Sequence, residues 1–492
     1  MSGFVHLHCH STWSLLDGAI TAEELPALAA RRGYDAVALT DHDSLLGAVR
    51  FAKACRAAGI KPLYGAELSL GTGHHVTALS QNARGYGNLC RLISDAHLSN
   101  ERAKPHTTFE RIAERAEGLF VLSGCERGPV ARLAAAGRMP QAVAEARRWR
   151  EAIGEGWRVE VFDHRGYGDR SLRDRLLYVA KDAGVRAVAT NDVHYASPSG
   201  AATHEVLHAV KEIVPLSRSH VLRNTSEYYL KDHDEMADLF WDAPEALEET
   251  VRIAEACDFD IDLENYHFPE IPGLTDERQS TALLAQRCFA GANRRYGRIP
   301  RAVDDRLQHE LQMIAKLGFS AFFLLVADIV DAVRAKDIWC SCRGSATGSL
   351  VCYVLGISDV DPLRYDLLFE RFMNTRREEM PDVDVDVESH RREEVLEYIA
   401  RTYGADQTAI CCMVDTFRAR MAIREVGKAL ALPPDEIGVV AKAFPRIAAR
   451  DIPKAIATLP ELRDSNLEAG QLQQLFDLCQ AIDGFPRHLA LH

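Results

Sequence analysis

The amino-acid sequence predicts an α/β protein in three parts: an N-terminal βα barrel, a mixed α+β region and a helical C-terminal region. Three observations predict this fold class. Apolar strand-like runs alternate with helical stretches over about the first 200 residues, a Val-rich strand with alternating carboxylates follows near residue 384, and helical periodicity dominates after residue 416. We place the three parts at residues 1–265, 266–412 and 413–492.

The composition is that of a globular protein with more than one domain. The chain has 492 residues, 47% of them hydrophobic and 26% charged, which is too long for one ordinary core. We find no long apolar run and no N-terminal signal, so the sequence predicts a cytoplasmic protein with no membrane partner. The 12 cysteines form no paired zinc motif and are expected to be free thiols. The net charge of −13 argues against a general grip on nucleic acid, although a local basic groove is compatible with it.

The first part of the chain repeats one pattern, in which an apolar strand ends in a potential metal ligand. Strands are predicted over residues 4–10, 36–42 and 61–67, with helices over residues 22–32 and 47–58. The same pattern recurs over residues 118–125 and 187–194. Strand-helix alternation favours a parallel sheet or barrel, in which the chemistry lies at the carboxyl ends of the strands. We therefore expect these ligands to meet at one end of the barrel.

The types of ligand at these strand ends indicate a multinuclear metal centre. A lone histidine is more often a hydrogen-bonded structural residue, but the number of imidazoles and carboxylates here is too high for that interpretation. Imidazole with carboxylate suits Zn²⁺, Mn²⁺ or iron, and the number of ligands suits two or three ions. Such a centre activates water and binds a phosphate for hydrolysis. The candidate ligands are His8, His10, Asp17, His42, Glu67, His75, Cys125, Asp192 and His194.

Three of these segments resemble a known family. HCHS at residues 8–11, TDHD at 40–43 and DVH at 192–194 are similar to the motifs of the PHP (polymerase and histidinol phosphatase) metal-dependent phosphoesterases. The resemblance implies a distorted seven-fold βα barrel with a trinuclear centre of Zn²⁺ or Mn²⁺. It assigns all nine candidate ligands by their positions.

A second chemical region begins with a predicted strand over residues 338–342. The loop RGSATGS at residues 343–349 follows, with two glycines and three hydroxyls before an apolar helix. Its backbone N–H groups can bind phosphate at the start of that helix. The P-loop lysine and the dinucleotide-binding glycine pattern are both absent, so a plain turn is the alternative.

Three carboxylates follow on one predicted strand. Asp382, Asp384 and Asp386 alternate with valines and are expected to share one face. Such crowding favours a divalent cation, and the alternative is an edge strand with a solvated acidic face. Arg343 and Arg371 lie nearby in the sequence and add positive charge. A nucleoside triphosphate with Mg²⁺ would satisfy this combination.

This second region resembles a polymerase. GFSAFFLLVADIV, RGSATGSLVCYVLGISDVDP, LLFERFMN and MPDVDVDVESHRREEVLEYI are similar to the palm of the C-family bacterial DNA polymerases, which also carry a PHP domain. RGYGNLCRL, DVES and RHLALH are closer to the error-prone, damage-tolerant branch. The resemblance implies DNA primer-template, deoxynucleoside triphosphates and other replication or damage-tolerance proteins as partners. Its implied site residues are Asp382 and Asp384 for Mg²⁺, and Arg343, Gly344, Ser345 and Arg371 for the triphosphate.

The third part is predicted to be a thumb-like helical element. In a helix over residues 416–432, Arg420, Arg424 and Lys428 form a basic stripe beside an apolar one. A solvated surface is the alternative interpretation. Because further cations follow with few acids between them, the stripe is predicted to contact duplex phosphates without sequence preference.

Two other functions fit parts of the sequence. A free-standing PHP-type phosphatase would have no use for a second triphosphate site, and a metal-stabilised scaffold would not turn over a substrate. The family's third catalytic aspartate would lie beyond residue 492, so we expect this chain alone not to polymerise. The barrel has its full apparent ligand set, which is compatible with a phosphoesterase or 3′–5′ exonuclease activity.

Overall fold

The computed structural model describes residues 3–218, 225–265, 276–373, 381–404, 406–456 and 469–491. The chain forms two compact units, of which the first combines Met1–Leu263 with Cys412–His492 and the second is Glu264–Cys411. The C-terminal segment therefore belongs to the same unit as the barrel. The three-part division at residues 1–265, 266–412 and 413–492 stays a prediction.

A curled six-stranded sheet forms the centre of the first unit, and its strands follow one another in space as in sequence. The N-terminal segment lies between the first and last strands, because His6 pairs with Val37 and Cys9 pairs with Val193, both in parallel. This confirms the distorted barrel implied by the PHP resemblance. The strands are β1 (Ala36–Leu39), β2 (Lys61–Ser69), β3 (His75–Ser80), β4 (Leu119–Leu122), β5 (Trp157–Val161) and β6 (Ala187–Ala189).

One strand runs against the others. β3 is antiparallel to β2 and β4, whereas the remaining neighbours are parallel. Only residues 70–74 connect β2 to β3, which is too short for the crossover that parallel neighbours need. The parallel pairing that strand-helix alternation favours therefore does not extend to β3. Because β3 begins at the end of the barrel where the parallel strands finish, its first residue, His75, lies beside their ligands.

Ten helices of the described residues accompany the barrel, and all but Ala201–Glu212, which packs in a separate apolar cluster, contribute side chains to the barrel core. In this core Trp149 stacks on Trp157 with ring centroids 4.7 Å apart. A helix that the sequence suggests over residues 226–240 begins only at His233, because Asp232 and Glu235 form a capping box there. The helices are α1 (Glu24–Arg31), α2 (Ala48–Ala58), α3 (Ala83–Leu98), α4 (Phe109–Glu114), α5 (Pro129–Ala135), α6 (Met139–Ile153), α7 (Asp169–Ala183), α8 (Ala201–Glu212), α9 (His233–Leu239) and α10 (Pro244–Ala256).

In the described part of the second unit, five helices pack around a two-stranded antiparallel ladder. Its core is formed by buried apolar side chains such as Leu307, Phe323 and Leu350. The glycine- and proline-rich break predicted at residues 269–273 lies outside the described residues. The elements are α11 (Glu277–Tyr296), α12 (Arg301–Lys316), α13 (Ser320–Ala335), β7 (Cys340–Arg343), α14 (Leu350–Val354), β8 (Asp384–Val387) and α15 (Arg392–Tyr403).

The C-terminal segment of the first unit is helical between two strands. The helix predicted from residue 416 begins at Ala419, because Cys412–Thr416 pair with the last strand instead. Its elements are β9 (Cys412–Thr416), α16 (Ala419–Ala429), α17 (Pro434–Ala443), α18 (Ile452–Ile456), α19 (Ala469–Ala481) and β10 (Pro486–Leu491). Among all described residues, no single helix is long and apolar enough to cross a membrane. Helices α12 and α13 reach that length and apolarity only together, and the pair is bent by 113°.

Candidate metal centre and nucleotide loop

The nine predicted ligands lie together at one end of the barrel, and Glu67 is at their middle. Its Oε2 is 2.8 Å from His42 Nδ1 and 3.5 Å from His10 Nε2, and its Oε1 is 3.1 Å from His75 Nδ1. Cys125 Sγ donates to the same Oε1 over 3.5 Å. Glu67 is positioned by β2, and it therefore contacts ligands from four other segments of the chain.

Two aspartates complete the cluster. Asp192 Oδ1 is 3.6 Å from His8 Nε2, 3.3 Å from His10 Nε2 and 3.5 Å from His194 Nδ1. Asp17 contacts His42 Nε2 at 3.2 Å through Oδ2 and His194 Nε2 at 3.4 Å through Oδ1. The side chains of both aspartates are at most 5% exposed. Buried carboxylates this close to imidazoles, which bind metals in their neutral form, are typical of metal-binding sites.

The spacing of the donor atoms fits metal ions. The Nε2 atoms of His8 and His10 are 3.1 Å apart, a separation expected of two nitrogens bound about 2.0–2.1 Å from one ion. Among the described residues, the ligand atoms form four overlapping groups, and within each group they all lie within 4.8 Å of one another. The groups are His10, His42 and His194; His8, His10 and Glu67; Asp17, His194 and His204; and His42, Glu67 and His75. Overlap of this kind suits a multinuclear centre rather than a single ion.

Charges within the cluster shift its protonation equilibria. Burial opposes the charged form of Glu67, yet His42 and His75 hold the pKa of its carboxyl well below its usual range. Burial lowers the pKa of His42, but Glu67 and Asp17 outweigh it and raise the pKa to about 10. For Cys125, burial and the charges of Glu67 and Asp192 raise the thiol pKa well above its usual range. Without a cation the thiol therefore stays protonated, and Cys125 would have to release a proton in order to bind a metal ion.

The sequence analysis missed the residues that orient the ligands. Glu160 on β5 accepts a hydrogen bond from His8 Nδ1 over 2.7 Å and another from Thr190 Oγ1 over 2.6 Å. A proton held on Nδ1 leaves the lone pair of His8 Nε2 for a metal ion. Asp41 of the TDHD motif accepts from the backbone and hydroxyls of Ser11 and Ser14, and so it orders the ligand loop. The signal for Glu160 was a carboxylate between two valines, on a strand whose other charged residue is Arg158.

A cleft of about 840 Å³ opens on this cluster. The candidate ligands His42 and His75 line it, and Lys104, Arg127 and Lys211 supply positive charge around them. A phosphate that reaches the centre through this cleft would meet cations on its way. The arrangement is suited to hydrolysis of a phosphate ester by metal-activated water.

In the second unit, the predicted nucleotide residues lie on the β7–β8 ladder. Arg343 is in register with Asp384, and Ser341 with Asp386. Arg343 Nε donates to Asp386 Oδ1 over 3.0 Å, and its Nη1 is 3.5 Å from Asp384 Oδ2. These groups are all more than two-fifths exposed. The structure therefore brings Arg343 to the same face as two of the three alternating carboxylates.

Asp382 is placed differently from its two neighbours. It is exposed and precedes β8, which begins at Asp384 rather than at residue 380. Pro381 has no N–H to contribute to a ladder. The hydrogen bond that Arg343 donates to Asp386, together with the charges of Asp384, Asp386 and Asp382, raises the pKa of Arg343. All three carboxylates thus act on Arg343, although only two share the strand face.

The start of α14 cannot bind phosphate in the way the loop sequence suggested. The N–H groups of Leu350 and Val351 each donate to the Glu310 carboxylate over 3.0 Å, and Ser349 Oγ donates to it over 2.8 Å. A buried carboxylate of the protein therefore occupies the anion position of this helix. Within the loop, Gly344 has φ +75°, which favours glycine, and a Cβ there would lie 3.6 Å from Asp384 Oδ2. Gly344 and Ser345 remain the candidates for contact with a triphosphate.

Arg306 ties this loop to the segment that carries Arg371. Its Nη2 donates to the carbonyls of Gly348 and Leu367, both over 3.1 Å, while its Nε donates to Glu310 over 2.7 Å. Arg371 is exposed at the end of the short helical turn Phe369–Arg371. Sequence reasoning missed Arg306 and Glu310, although Glu310 sits at an apolar position of the amphipathic helix α12.

The basic stripe on α16 is exposed, as its periodicity predicts. Arg420, Arg424 and Lys428 face outward, opposite the buried Ile423 and Val426. Arg420 Nε donates to the Phe444 carbonyl over 2.6 Å, and Lys428 Nζ lies 3.1 Å from Glu425. The contact of this stripe with DNA stays a prediction.

Comparisons with known proteins match both regions. Residues 6–164 match the PHP domain, and residues 282–492 match the bacterial DNA polymerase III alpha NTPase domain. An error-prone DNA polymerase of Symbiobacterium thermophilum is 38% identical over 99% of this chain and 47% of its own length. The DNA polymerase III subunit alpha of Bacillus subtilis is 33% identical over 99% of this chain and 44% of its own length. An error-prone DNA polymerase of Mycobacterium bovis is 36% identical over 99% of this chain and 45% of its own length.

Proposed function

The chain belongs to the family of bacterial DNA polymerase III alpha subunits and error-prone DNA polymerases, and from this we propose that it acts as the N-terminal portion of a template-directed DNA polymerase. The chain spans about half the length of the curated relatives it matches. The proposal assigns it DNA primer-template and deoxynucleoside triphosphates as substrates, other replication or damage-tolerance proteins as partners, and a cytoplasmic location. The observation that carries the proposal is the β7–β8 ladder, which sets Arg343 against Asp384 and Asp386.

In this proposal, Asp382 and Asp384 hold Mg²⁺, which neutralises the negative charge of the triphosphate. Arg343, Gly344, Ser345 and Arg371 bind the phosphates. Exposed ion pairs of the kind that Arg343 makes with Asp384 and Asp386 contribute only about 0–1 kcal/mol. Arg343 can therefore leave them for a triphosphate at little cost, which frees Asp384 for the cation.

Replacement of Arg343 by alanine is expected to weaken binding of a non-hydrolysable deoxynucleoside triphosphate with Mg²⁺ by at least about 10-fold, since a hydrogen bond to a charged group contributes about 1.5–3 kcal/mol. Isothermal titration calorimetry of the whole chain measures this. Arg301→Ala removes an exposed arginine of the same unit and is expected to bind as the wild type does. Equal affinities for the two variants would contradict the assignment of Arg343.

For the barrel, we propose a metal-dependent phosphoesterase or 3′–5′ exonuclease activity with two or three Zn²⁺ or Mn²⁺ ions. The overlapping ligand groups and the basic cleft support this function. His8, His10, Asp17, His42, Glu67, His75, Cys125, Asp192 and His194 would hold the ions, which supply an activated water. Metal-dependent hydrolysis of a phosphodiester separates this function from that of a metal-stabilised scaffold.

For the C-terminal segment, we propose that Arg420, Arg424 and Lys428 contact DNA phosphates. Three exposed cations on one helix face support a contact of this kind, whose affinity falls with rising salt and does not depend on base sequence.

A further inference from the structure

Helix α8 carries three polar side chains outside the predicted ligand set, of which Lys211 also lines the cleft. His204, His208 and Lys211 are spaced by four and three residues and so share one face of the helix. All three meet Asp17: the Nε2 atoms of His204 and His208 are 3.0 and 2.9 Å from its Oδ1, and Lys211 Nζ is 3.2 Å from its Oδ2. One carboxylate of the metal centre is therefore surrounded by three groups from a helix that the PHP motifs do not include.

The two histidines differ in what else they reach. The ligand atoms of His204, Asp17 and His194 all lie within 4.8 Å of one another, with Asp17 Oδ1 3.4 Å from His194 Nε2. Among the described residues, His208 takes part in no such group. Two imidazoles and a carboxylate form a donor set that suits Zn²⁺ or Mn²⁺.

The opposite face of α8 holds these imidazoles in place. Val206, Leu207 and Val210 are buried in one apolar cluster with Ile423 and Val426 of α16. His204 and His208 are themselves only 2% and 4% exposed. Ligands on a helix packed in this way are pre-organised, because their backbone cannot move without disrupting a core.

We propose that His204 is a further ligand of the metal centre and binds, with Asp17 and His194, the ion nearest α8. His208 and Lys211 position Asp17 from the same helix face without binding that ion. This inference rests on the proposed metal centre, and it makes α8 a structural link between that centre and the C-terminal helices.

Metal analysis of the whole chain tests the proposal. After saturation with Mn²⁺ or Zn²⁺ and removal of free metal, His204→Ala is expected to retain about one ion fewer per chain than the wild type, as a site with three protein ligands loses one of them. His208→Ala removes an imidazole that lies on the same helix face and contacts the same carboxylate oxygen, Asp17 Oδ1. This variant is expected to retain the wild-type number of ions. His204→Asp restores a ligand atom and is expected to recover the lost ion.

Spectra of the Co²⁺-substituted chain provide a readout that does not depend on activity. The visible absorption of the bound Co²⁺ is expected to change in His204→Ala and to stay unchanged in His208→Ala. Full occupancy in His204→Ala, or an equal loss in both alanine variants, would overturn the assignment of His204 and leave the metal centre standing. A wild-type chain that binds no metal would overturn the centre and this inference together.

Discussion

Replacement of His10 by alanine is expected to lower the rate of metal-dependent phosphodiester hydrolysis by at least about 10³-fold, because a metal centre contributes several kcal/mol of transition-state stabilisation and each 1.36 kcal/mol is tenfold in rate. His10 belongs to two of the four ligand groups. Its Nε2 lies 3.3 Å from Asp192 and 3.5 Å from Glu67. Removal of this imidazole therefore disturbs two ion positions at once.

The measurement is the initial rate of bis(p-nitrophenyl) phosphate hydrolysis after chelation and return of Mn²⁺ or Zn²⁺. His74→Ala is the matched control, since His74 precedes the candidate ligand His75 but belongs to no ligand group of the described residues. It is expected to keep the wild-type rate. If His10→Ala hydrolyses the substrate as fast as His74→Ala, the barrel is not the catalyst and its metals serve a structural role.

Several barrel ligands could be predicted because they follow apolar strand-like runs and a barrel brings the ends of its strands together. His8, His10 and Asp192 illustrate this. Their local sequence places each of them at the end of an apolar run, and the barrel topology brings these ends together. His75 was assigned by its position in the PHP resemblance and not by a strand end. It begins a strand instead of ending one, and only the reversal of β3 brings it to Glu67.

The residues that sequence reasoning missed act across long separations in the chain. His204 and Asp17 are 187 positions apart, and Glu160 and His8 are 152 apart. Once α8 is known, helical spacing places His204, His208 and Lys211 on one face, but spacing does not show what that face contacts. Glu310 was missed because its pairing with Arg306 four residues earlier is typical of a surface helix, whereas its contacts with Ser349 and Val351 span 39 and 41 positions.

Replacement of Glu310 by alanine is expected to lower the free energy of unfolding of the second unit by about 3–5 kcal/mol, which is the usual cost of removing one partner from a buried ion pair. The substitution leaves the N–H groups of Leu350 and Val351 and the guanidinium of Arg306 without their acceptor. Burial raises the pKa of Glu310 even though Arg306 and these N–H groups favour its charged form. The carboxyl is thus costly to bury, and its removal is costlier because these donors and the Ser349 hydroxyl, four in all, lose their bonds to it.

Urea unfolding, with hydrogen exchange of residues 350–355 followed by mass spectrometry, measures the change in the unit concerned. Glu370→Ala is the matched control, because Glu370 is 53% exposed and its contact with His309 is a surface pair expected to contribute about 0–1 kcal/mol. A loss below about 1 kcal/mol in Glu310→Ala would contradict the role of Glu310 as an internal anion.

Arg306 also holds the carbonyls of Gly348 and Leu367. When Arg306 loses its bond to Glu310, both the RGSATGS loop and the segment that carries Arg371 are expected to become less ordered. The Glu310→Ala substitution is therefore also expected to weaken triphosphate binding, although Glu310 itself does not contact the nucleotide.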